Sequence, residues 1–570
     1  MTTSIISTTV TATTTAIVSE IPPAWELVAN SFAENFVYCL NQLDKLPGGQ
    51  IILRYIKSSY QNDPIRSVFE MALVLFALSY FFSNMRLENK SELVKLSNSE
   101  IDELCQEWVP EPLVQPLTEL EKWELKTIPE IKGHNGSHIT LGGSTHNNNP
   151  VVNLASQDFL NLNENESIKT AAKTHINHAG VGACGPPNFY GTQDVHVRLE
   201  EDLANFLGAE QSIIYGQDFV TAGSVIPAFL KRGDLCVVDS GVNIAIQKAL
   251  IVSRADIEWY DHNDVEHLYE ILTQLKPVLD KQHPIRRRFI ITEALFATTG
   301  EITNLPRIVE LKNEFKYRLF LDESLSIGVL GKHGKGLPEH FNIPRSEISI
   351  TIGSMANAFA SSGGFCVGTT PMVHHQRIQS NAYVFSASLP PYSAKVTSQA
   401  IQEITTTEIV QSLHYNILFA YEQLDQCLQQ TSFMISSDPE SPMIHIQLHP
   451  DVRTKLDLPF NYGNTDFISK RKPSKNLNKF NHFYNIENFI LQKIIDYVLQ
   501  KDILITRSKL ILEHENLPVL PPHLIVSINS GITKDEILKL AQVLPEAIEY
   551  VMKGVDSGDL LKLEQEIVSY

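Results

Sequence analysis

The sequence predicts an α/β fold with a mostly parallel sheet, and three observations predict it. From about residue 151 onward, short apolar runs alternate with amphipathic stretches, which is the pattern of successive βαβ units. Several of the apolar runs end in an acidic residue or a glycine-containing turn, where open α/β sheets place their functional sites. The composition, 43% hydrophobic and 19% charged over 570 residues, is that of an ordinary globular protein.

Individual elements can be placed from the same patterns. Apolar runs of strand length predict β-strands at Gln211–Tyr215, Leu235–Asp239, Arg288–Glu293, Arg318–Asp322, Met443–Leu448, Ile503–Thr506 and Leu524–Ile528. Helical periodicity predicts helices at Asp194–Leu207, Leu305–Phe315 and Lys534–Met552. We expect Pro545 to kink or divide the last of these helices, because proline lacks the backbone N–H that an interior helical position donates.

The charge balance and the cysteines exclude several classes of protein. Lys and Arg number 46 against 65 Asp and Glu, which gives a formal charge of −19. So acidic a chain lacks the basic face of a general nucleic-acid-binding protein. The six cysteines form no CxxC pair and show neither a zinc-site spacing nor a disulfide framework. We therefore expect no metal site, and we expect free thiols in a reducing compartment.

The amino end predicts a tail followed by an amphipathic region. Residues 1–20 are rich in Thr and Ser without early Lys or Arg, so they are predicted to be a disordered tail rather than a targeting peptide. In residues 21–62, apolar side chains recur every three or four positions, at Trp25, Val28, Phe32, Phe36 and Leu40. This stripe predicts a helix that lies in a membrane interface, with a core-packing helix as the alternative.

The most apolar run of the chain is Val68–Phe82. Fifteen helical residues span about 22 Å, whereas a bilayer core is about 30 Å thick. Glu70 interrupts the run, but Arg66 and Arg86 flank it and aromatic residues crowd its end, as expected for an interface anchor. We predict that residues 63–86 form a transmembrane or re-entrant segment, with an isolated soluble helix as the alternative.

Two further regions interrupt the alternating pattern. Residues 87–150 are predicted to be a connector, with a hairpin of extended segments around Ile139 and Val151. Residues 462–485 are rich in Asn and Lys and are predicted to be a surface insertion. The alternative for this second region is a contact with acidic lipid or with a partner.

Four stretches carry the chemical signal: Gly180–His196, Phe320–Gly336, Gly353–Phe365 and Tyr383–Pro391. Asp322, in the second stretch, ends a predicted strand, and a carboxylate there can pair with the protonated pyridine nitrogen of pyridoxal phosphate. In this order and spacing, the stretches resemble the α-oxoamine synthases, which join an amino acid to an acyl-CoA. That resemblance covers roughly Asn153 to Tyr550. It implies a fold-type I, aspartate aminotransferase-like large domain over residues 151–390 and a smaller α+β domain over residues 391–570.

The residues that this family uses for catalysis are absent at the matching positions. Asn357 stands where the Schiff-base lysine is expected, and no lysine occurs from Leu337 to Ala394. A neutral amide cannot form the Schiff base, so the resemblance implies no catalytic residue of this chain's own. The cofactor-stacking histidine falls at Asn243, so that Asp322 and Asn243 would be vestiges of a cofactor site. Three more departures from the family motifs are Leu325 for a histidine, Pro187 for an arginine and Ala387 for a threonine.

Such a dismantled chain resembles the non-catalytic first long-chain-base subunits of eukaryotic serine palmitoyltransferases. The loop Gly180–Pro186 and the runs Phe189–His196 and Phe385–Pro391 are similar to theirs. The resemblance implies a lysine-bearing second subunit that holds pyridoxal phosphate covalently. The heterodimer would condense L-serine with palmitoyl-CoA to 3-ketosphinganine, the first step of sphingolipid synthesis.

The same resemblance implies where this chain contributes. It would supply an interface wall of the partner's active site near Cys184, Phe189, Tyr190 and Ser386, with plain packing as the alternative for the first three. Arg507 would lie at a position that active relatives use for the substrate carboxylate. Further expected partners are a small activating subunit, Orm-type regulators and the endoplasmic reticulum membrane, with the main domain facing the cytosol.

Two rival hypotheses remain at this point. One is a homodimeric α-oxoamine synthase that uses an unrecognised lysine, and the other is a membrane-bound scaffold or lipid sensor that keeps only the fold.

Overall fold

The computed structural model describes residues 49–88, 97–108, 119–142, 150–460, 482–509 and 519–553, with a few single positions between and after these ranges. The chain divides into two compact units, Met1–Gln115 and Pro116–Tyr570. The predicted tail at residues 1–20, the stripe from Trp25 to Leu40 and most of the predicted insertion lie outside the described residues.

The described part of the first unit consists of helices. They are α1 (Gly49–Asn62), α2 (Pro64–Glu88) and α3 (Asn98–Glu107). Helix α2 contains the predicted apolar run, and the large apolar side chains that the structure describes from Phe69 to Phe82 are 48–70% exposed. Near its start, Arg66 Nε donates to Glu70 Oε1 over 2.9 Å, one turn further along the helix.

Among the helices that the structure describes, none is both long enough and apolar enough to cross a membrane. The prediction that residues 63–86 form a transmembrane or re-entrant segment stays a prediction.

The second unit alternates helices and strands. Its helices are α4 (Glu119–Lys126), α5 (Glu166–Ala179), α6 (Asp194–Leu207), α7 (Phe219–Phe229), α8 (Ile244–Ser253), α9 (Val265–Leu279), α10 (Leu305–Phe315), α11 (Leu337–His340), α12 (Thr370–Gln379), α13 (Asn381–Phe385), α14 (Pro391–Thr406), α15 (Ile409–Leu428), α16 (Pro450–Lys455), α17 (His482–Leu499) and α18 (Lys534–Met552). Its strands are β1 (Ile131–Lys132), β2 (His138–Leu141), β3 (Val151–Asn153), β4 (Gln211–Tyr215), β5 (Leu235–Asp239), β6 (Asp256–Tyr260), β7 (Arg288–Glu293), β8 (Arg318–Asp322), β9 (Ile350–Ser354), β10 (Gly364–Gly368), β11 (Phe433–Ile435), β12 (Met443–Leu448), β13 (Ile503–Leu504), β14 (Thr506–Arg507) and β15 (Leu524–Ser527).

The central sheet has seven strands in the order β4-β10-β9-β8-β7-β5-β6. Strands β9, β8, β7, β5 and β6 run parallel, whereas β10 is antiparallel to both β4 and β9. The prediction of a mostly parallel sheet is confirmed, with β4 and β10 making it mixed. Because parallel strands end at one edge, Asp239, Glu293, Asp322 and Ser354 reach the same edge of the sheet.

Two smaller sheets complete the second unit. One is antiparallel, in the order β11-β12-β15-β14, and the other runs β1-β2-β3-β13. The predicted hairpin is present, since β2 pairs antiparallel with β3 and Ile139 lies opposite Val151. The boundary between the units, after Gln115, falls inside the predicted connector, and the strands β1 and β2 belong to the second unit.

The predicted helices Asp194–Leu207, Leu305–Phe315 and Lys534–Met552 are confirmed. Pro545 does not divide the last of them, which runs continuously as α18. A proline removes only one backbone donor, and the buried side chains of Val543, Leu544 and Ala547 around it pack that helix against its neighbours.

An aromatic junction joins residues far apart in the chain. Trp123, on α4, is 2% exposed, and its ring meets those of Phe489 and Tyr570 edge-on, with centroids 5.7 and 6.1 Å away. Lys126 Nζ donates to the carbonyl oxygen of Tyr570 over 2.7 Å. Helix α4 is therefore held by the end of the described chain.

Candidate functional site

The turn after β5 places Asn243 at the carboxyl edge of the central sheet. Its side-chain oxygen accepts from the Ile246 N–H over 3.1 Å and so caps α8. Its Nδ2 donates to Asp322 Oδ2 over 2.9 Å, and its backbone N–H donates to Glu293 Oε1. Asn243 thus binds the ends of two neighbouring strands, β7 and β8, at the same time.

Asp322 is buried at the end of β8, and both of its oxygens are engaged. Oδ2 accepts from Asn243, and Oδ1 accepts from the Ser324 N–H over 2.9 Å. Burial raises the pKa of Asp322, while the bonds from Ser324 and Asn243 oppose that rise. The carboxylate is therefore satisfied by its own chain.

Two more carboxyl groups crowd this edge, and we name Asp218, Glu293 and Asp322 the carboxyl cluster. Burial, followed by repulsion from Asp322, raises the pKa of Asp218 to about 6. The same two causes, in the same order, raise the pKa of the fully buried Glu293 well above its usual value. Their main neighbours are other carboxyls, amides and the hydroxyl of Ser354. Carboxyl groups this close disfavour one another's ionised forms, which is why the pKa values rise.

Asn357 lies three residues beyond the end of β9 and is half-buried. Its Nδ2 donates to the carbonyl oxygen of Ser324 over 3.1 Å. The next residue, Ala358, packs so closely on Gly328 that a Cβ there would lie 2.3 Å from the Ala358 Cβ. Leu325 is 9% exposed and belongs to the main apolar core. Neither Asn357 nor Leu325 offers an amine or an imidazole to a cofactor.

These residues do not fit covalently held pyridoxal phosphate. Asn357 is an amide where an amine is needed, and Asn243, whose Nδ2 donates to Asp322 Oδ2, is an amide where the family has a ring that stacks on the cofactor. Asp218 is the N-cap residue of α7, where free backbone N–H groups would otherwise favour a phosphate. Among the described residues, no group of three or more His, Cys, Asp and Glu side chains is arranged to hold a metal ion.

The other predicted site residues lie on two adjoining segments, residues 180–191 and 383–391, which we name the loop pair. The Ser388 N–H donates to the Gly185 carbonyl over 2.9 Å. A Cβ at Gly191 would lie 1.9 Å from that same carbonyl oxygen, so only glycine fits there. His196 Nδ1 accepts from the Gln193 N–H over 2.9 Å, and Nε2 therefore donates to the Leu389 carbonyl over 2.7 Å. The two segments form one surface.

The loop pair exposes the predicted interface residues. Tyr190 is fully exposed and Phe189 is 53% exposed, and Cys184 and Ser386 are exposed as well. Cys184 and Tyr190 adopt positive φ angles of 60° and 88°, which are uncommon for residues with a Cβ. Packing within this chain therefore does not account for Phe189 and Tyr190, and their role toward a partner stays a prediction. Pro187 and Ala387 lie on the same surface.

The carboxyl cluster and the loop pair are neighbours. A Cβ at Gly216, which follows β4, would lie 2.9 Å from the carbonyl oxygen of Ala387. Asp218 comes two residues later, and its carboxyl bonds to Ser354 at the end of β9. The turn from Gly216 to Asp218 thus links the loop pair to the carboxyl cluster.

Arg507 is placed elsewhere and has a packing role. Its Nη2 lies 3.0 Å from Glu124 Oε2 on α4, its Nε donates to Gln492 Oε1 over 3.1 Å and its Nη1 donates to Asn488 Oδ1 over 2.9 Å. The guanidinium also lies 5.0 Å above the Trp123 ring. Because these groups belong to α4 and α17, the prediction that Arg507 meets a substrate carboxylate gains no support.

Sequence reasoning missed two members of the carboxyl cluster, Asp218 and Glu293. The signal for Glu293 was present, since it ends a predicted strand beside the one that Asp322 ends. Asp218 follows an antiparallel strand, and nothing in its sequence context distinguishes it from an ordinary helix cap.

Comparison with known proteins identifies the family. The model of the family described as aminotransferase class I and II matches residues 149–544. Serine palmitoyltransferase 1 of Saccharomyces cerevisiae is 39% identical over 543 residues, covering 92% of this chain and 96% of that protein. Serine palmitoyltransferase 1 of Dictyostelium discoideum is 33% identical, covering 88% and 98%. Long chain base biosynthesis protein 1 of Arabidopsis thaliana is 39% identical, covering 62% and 71%.

Solved structures share the fold at low identity. Serine palmitoyltransferase of S. paucimobilis, solved with pyridoxal phosphate and myriocin, has a TM-score of 0.60 at 16% identity, covering 80% of this chain and 96% of that one. An 8-amino-7-oxononanoate synthase from Francisella tularensis has a TM-score of 0.52 at 20% identity, covering 70% and 98%. The fold is thus the predicted fold-type I fold, and the chain belongs to the serine palmitoyltransferase 1 family.

Proposed function

We propose that this chain is the non-catalytic but required subunit of a serine palmitoyltransferase. The complex condenses L-serine with palmitoyl-CoA, releases CoA and carbon dioxide and yields 3-ketosphinganine. A lysine-bearing partner subunit holds pyridoxal phosphate covalently, and this chain completes the partner's active site. One observation carries the proposal: Asn357 occupies the position expected for the lysine and donates its amide to the Ser324 carbonyl.

The carboxyl cluster supports the non-catalytic part of the proposal. Asp322 accepts from Asn243, and burial together with repulsion from Asp322 raises the pKa of Asp218 and of Glu293, so this edge holds three carboxyl groups that disfavour one another's ionised forms. The groups at this edge bond to one another instead of waiting for a cofactor.

The loop pair supports the partner-completing part. It exposes Phe189 and Tyr190, aromatic side chains of the kind that dominate the centres of protein interfaces. The bond from the Ser388 N–H to the Gly185 carbonyl holds the two segments together, and the Leu389 carbonyl accepts from His196. In the complex this surface forms one wall of the partner's active site, with Cys184 and Ser386 alongside.

The deciding experiment compares this chain alone with its complex. The chain is purified by itself and with a copurified lysine-bearing homologue, the visible absorbance of lysine-bound pyridoxal phosphate is recorded, and condensation of L-serine with palmitoyl-CoA is assayed. We expect the band and the activity only in the complex. Both signals from the lone chain would favour a homodimeric synthase with an unrecognised lysine. Neither signal from the complex would favour a scaffold or lipid sensor.

The proposal extends to the membrane and to further partners. The exposed apolar side chains of α2 support association of the amino region with a membrane, which suits a product that partitions into lipid. We place the complex at the endoplasmic reticulum with its main domain facing the cytosol, together with a small activating subunit and Orm-type regulators. Protease protection of sealed microsomes tests this placement. We expect a protease added outside the microsomes to digest residues 150–460. Protection of these residues would contradict the cytosolic placement.

A further inference from the structure

The exposed loop of residues 180–191 is bonded to a helix that lies outside the carboxyl cluster. Asn188, next to Phe189, donates from Nδ2 to the carbonyl oxygen of Arg377 over 2.6 Å. Arg377 lies in the last turn of α12, which ends at Gln379. Carbonyls in the last turn of a helix lack helical partners, so Asn188 caps the end of α12. The bond anchors the loop one residue before its first exposed aromatic side chain.

The side chain of Arg377 extends this anchor to two more elements. Its Nη2 donates to Glu200 Oε2 on α6 over 2.7 Å, and its Nη1 donates to the Tyr383 hydroxyl on α13. The guanidinium also lies 5.5 Å from the centre of the Tyr383 ring. Helix α6 follows the first segment of the loop pair, and Tyr383 begins the second. The guanidinium of Arg377 therefore links α6 to the second segment, and its carbonyl binds the first segment through Asn188.

The pair of Arg377 and Glu200 is largely removed from water, with side-chain exposures of 32% and 14%. Burial raises the pKa of Glu200, and the guanidinium opposes that rise. Removing the guanidinium would leave a carboxylate with little solvent and without this partner, which is strongly unfavourable. The pair is therefore fixed in place.

A cavity adjoins the loop pair, so the bonds of Asn188 and Arg377 are needed to fix the position of the loop. A cavity of about 210 Å³ is lined by Pro187, His196, Arg377, Tyr383 and Ser388 among others. Close packing would hold a loop without polar anchors, but a loop beside a cavity can shift into it. The positive φ of Tyr190, 88°, adds a conformation that its surroundings must maintain.

We propose that Asn188 and Arg377 are positioning residues that fix the orientation of Phe189 and Tyr190 toward the partner's active site. This inference rests on the proposed function. Neither residue touches the substrate or the cofactor in this scheme. Both act through the loop, and the effect of losing them is a misplaced wall of the partner's active site.

The test uses the complex of this chain with its lysine-bearing partner. Asn188→Asp keeps the shape of the side chain but removes the N–H donor, and Asn188→Ala removes the whole amide. We expect both variants to raise KM for palmitoyl-CoA about tenfold while kcat and complex assembly stay within about twofold of wild type. Asn313→Ala, which removes an exposed amide that bonds to Glu347 on another part of the chain, is the matched control.

Arg377 is tested by a graded pair of variants. Arg377→Lys keeps a charge beside Glu200 but has no planar group that reaches Tyr383 as well, whereas Arg377→Met removes both contacts. We expect KM to rise in the order wild type, Lys, Met. If Arg377→Met fails to fold, the Asn188 variants still decide the matter. A wild-type KM for Asn188→Asp, or a fall in kcat that follows loss of assembly, would overturn the inference.

A second readout separates this inference from the proposed function. Amide hydrogen exchange of residues 181–191 can be measured in the lone chain, without activity or partner. Asn188→Asp is expected to speed exchange in that segment and to leave α6 unchanged. An inactive wild-type complex would overturn the proposed function, whereas unchanged exchange in Asn188→Asp would overturn the positioning role.

Discussion

The carboxyl cluster and the loop pair lie side by side yet differ in how their polar groups are used. In the cluster, Asp322 and Asn243 bond to each other, and burial keeps solvent away. In the loop pair, the backbone is firmly bonded, but the side chains of Phe189 and Tyr190 point away from this chain's core. The first region is closed on itself and the second is available to another molecule. Under the proposed function, the difference means that the residues for chemistry and the residues that line the active site can be separated within one fold.

The largest effect is expected from changing the exposed aromatic residues of the loop pair. The double change Phe189→Ala, Tyr190→Ala is expected to lower the activity of the complex about 100-fold, because exposed aromatic residues often dominate an interface. The thermal stability of the lone chain should not change, since Tyr190 is fully exposed. Activity of the complex and unfolding of the lone chain are measured together. Tyr550→Ala, a change at a 71% exposed side chain on α18, is the control, and equal activity in both variants would contradict the wall.

The carboxyl cluster should be visible as a pH dependence of stability. Since the pKa of Asp218 is raised from 3.8 to about 6, the folded chain binds this proton more tightly than the unfolded chain. The stability from this group is present below about pH 4 and is lost as the pH rises through 6, by at most about 3 kcal/mol. Asp218→Asn should lose less stability than wild type between these values in thermal unfolding. The exposed change Asp535→Asn serves as control, and parallel curves for wild type and Asp218→Asn would exclude the effect.

A change at Asn243 tests the carboxyl cluster alone, because Asn243 does not belong to the loop pair. Asn243→Ala removes the cap of α8 and the donor to Asp322, so we expect a loss of about 1–3 kcal/mol in the free energy of unfolding. Activity of the assembled complex should change less than about twofold. Unfolding of the lone chain and the assay of the complex provide the two numbers. A large loss of activity with unchanged stability would show that Asn243 acts in catalysis.

The smallest effect is expected from restoring a lysine at position 357. Asn357→Lys restores an amine, but Asn243 and Leu325 still differ from the family residues and the carboxyl cluster is unchanged. We therefore expect the lone variant to show no condensing activity above background. Absorbance of lysine-bound pyridoxal phosphate and the condensation assay of the lone chain measure it. Substantial turnover would mean that the missing lysine alone accounts for the non-catalytic state.

Much of the fold could be predicted from the sequence because local patterns decide it. The helix Asp194–Leu207 and the strand Arg318–Asp322 are recognisable from the spacing of their apolar residues alone. Asn357 was also predictable, because a missing lysine is a property of sequence. Contacts between distant residues were not. Nothing near Asn188 indicates that its partner is the Arg377 carbonyl, 189 positions away. The burial and the repulsion that raise the pKa of Asp218 arise only when the turn after β4 folds beside the ends of β8 and β9, where Asp322 and Ser354 lie.

The aromatic junction at Trp123 can form only late in the synthesis of the chain. The bond between Lys126 and Tyr570 joins residues 444 positions apart. At roughly 5–20 residues per second, a ribosome needs about 20–90 s to synthesise the intervening chain. During most of that interval Trp123 lacks both Phe489 and Tyr570, and Tyr570 is the later of the two to be synthesised. The nascent protein thus completes the aromatic junction around Trp123 only after Tyr570 has been synthesised.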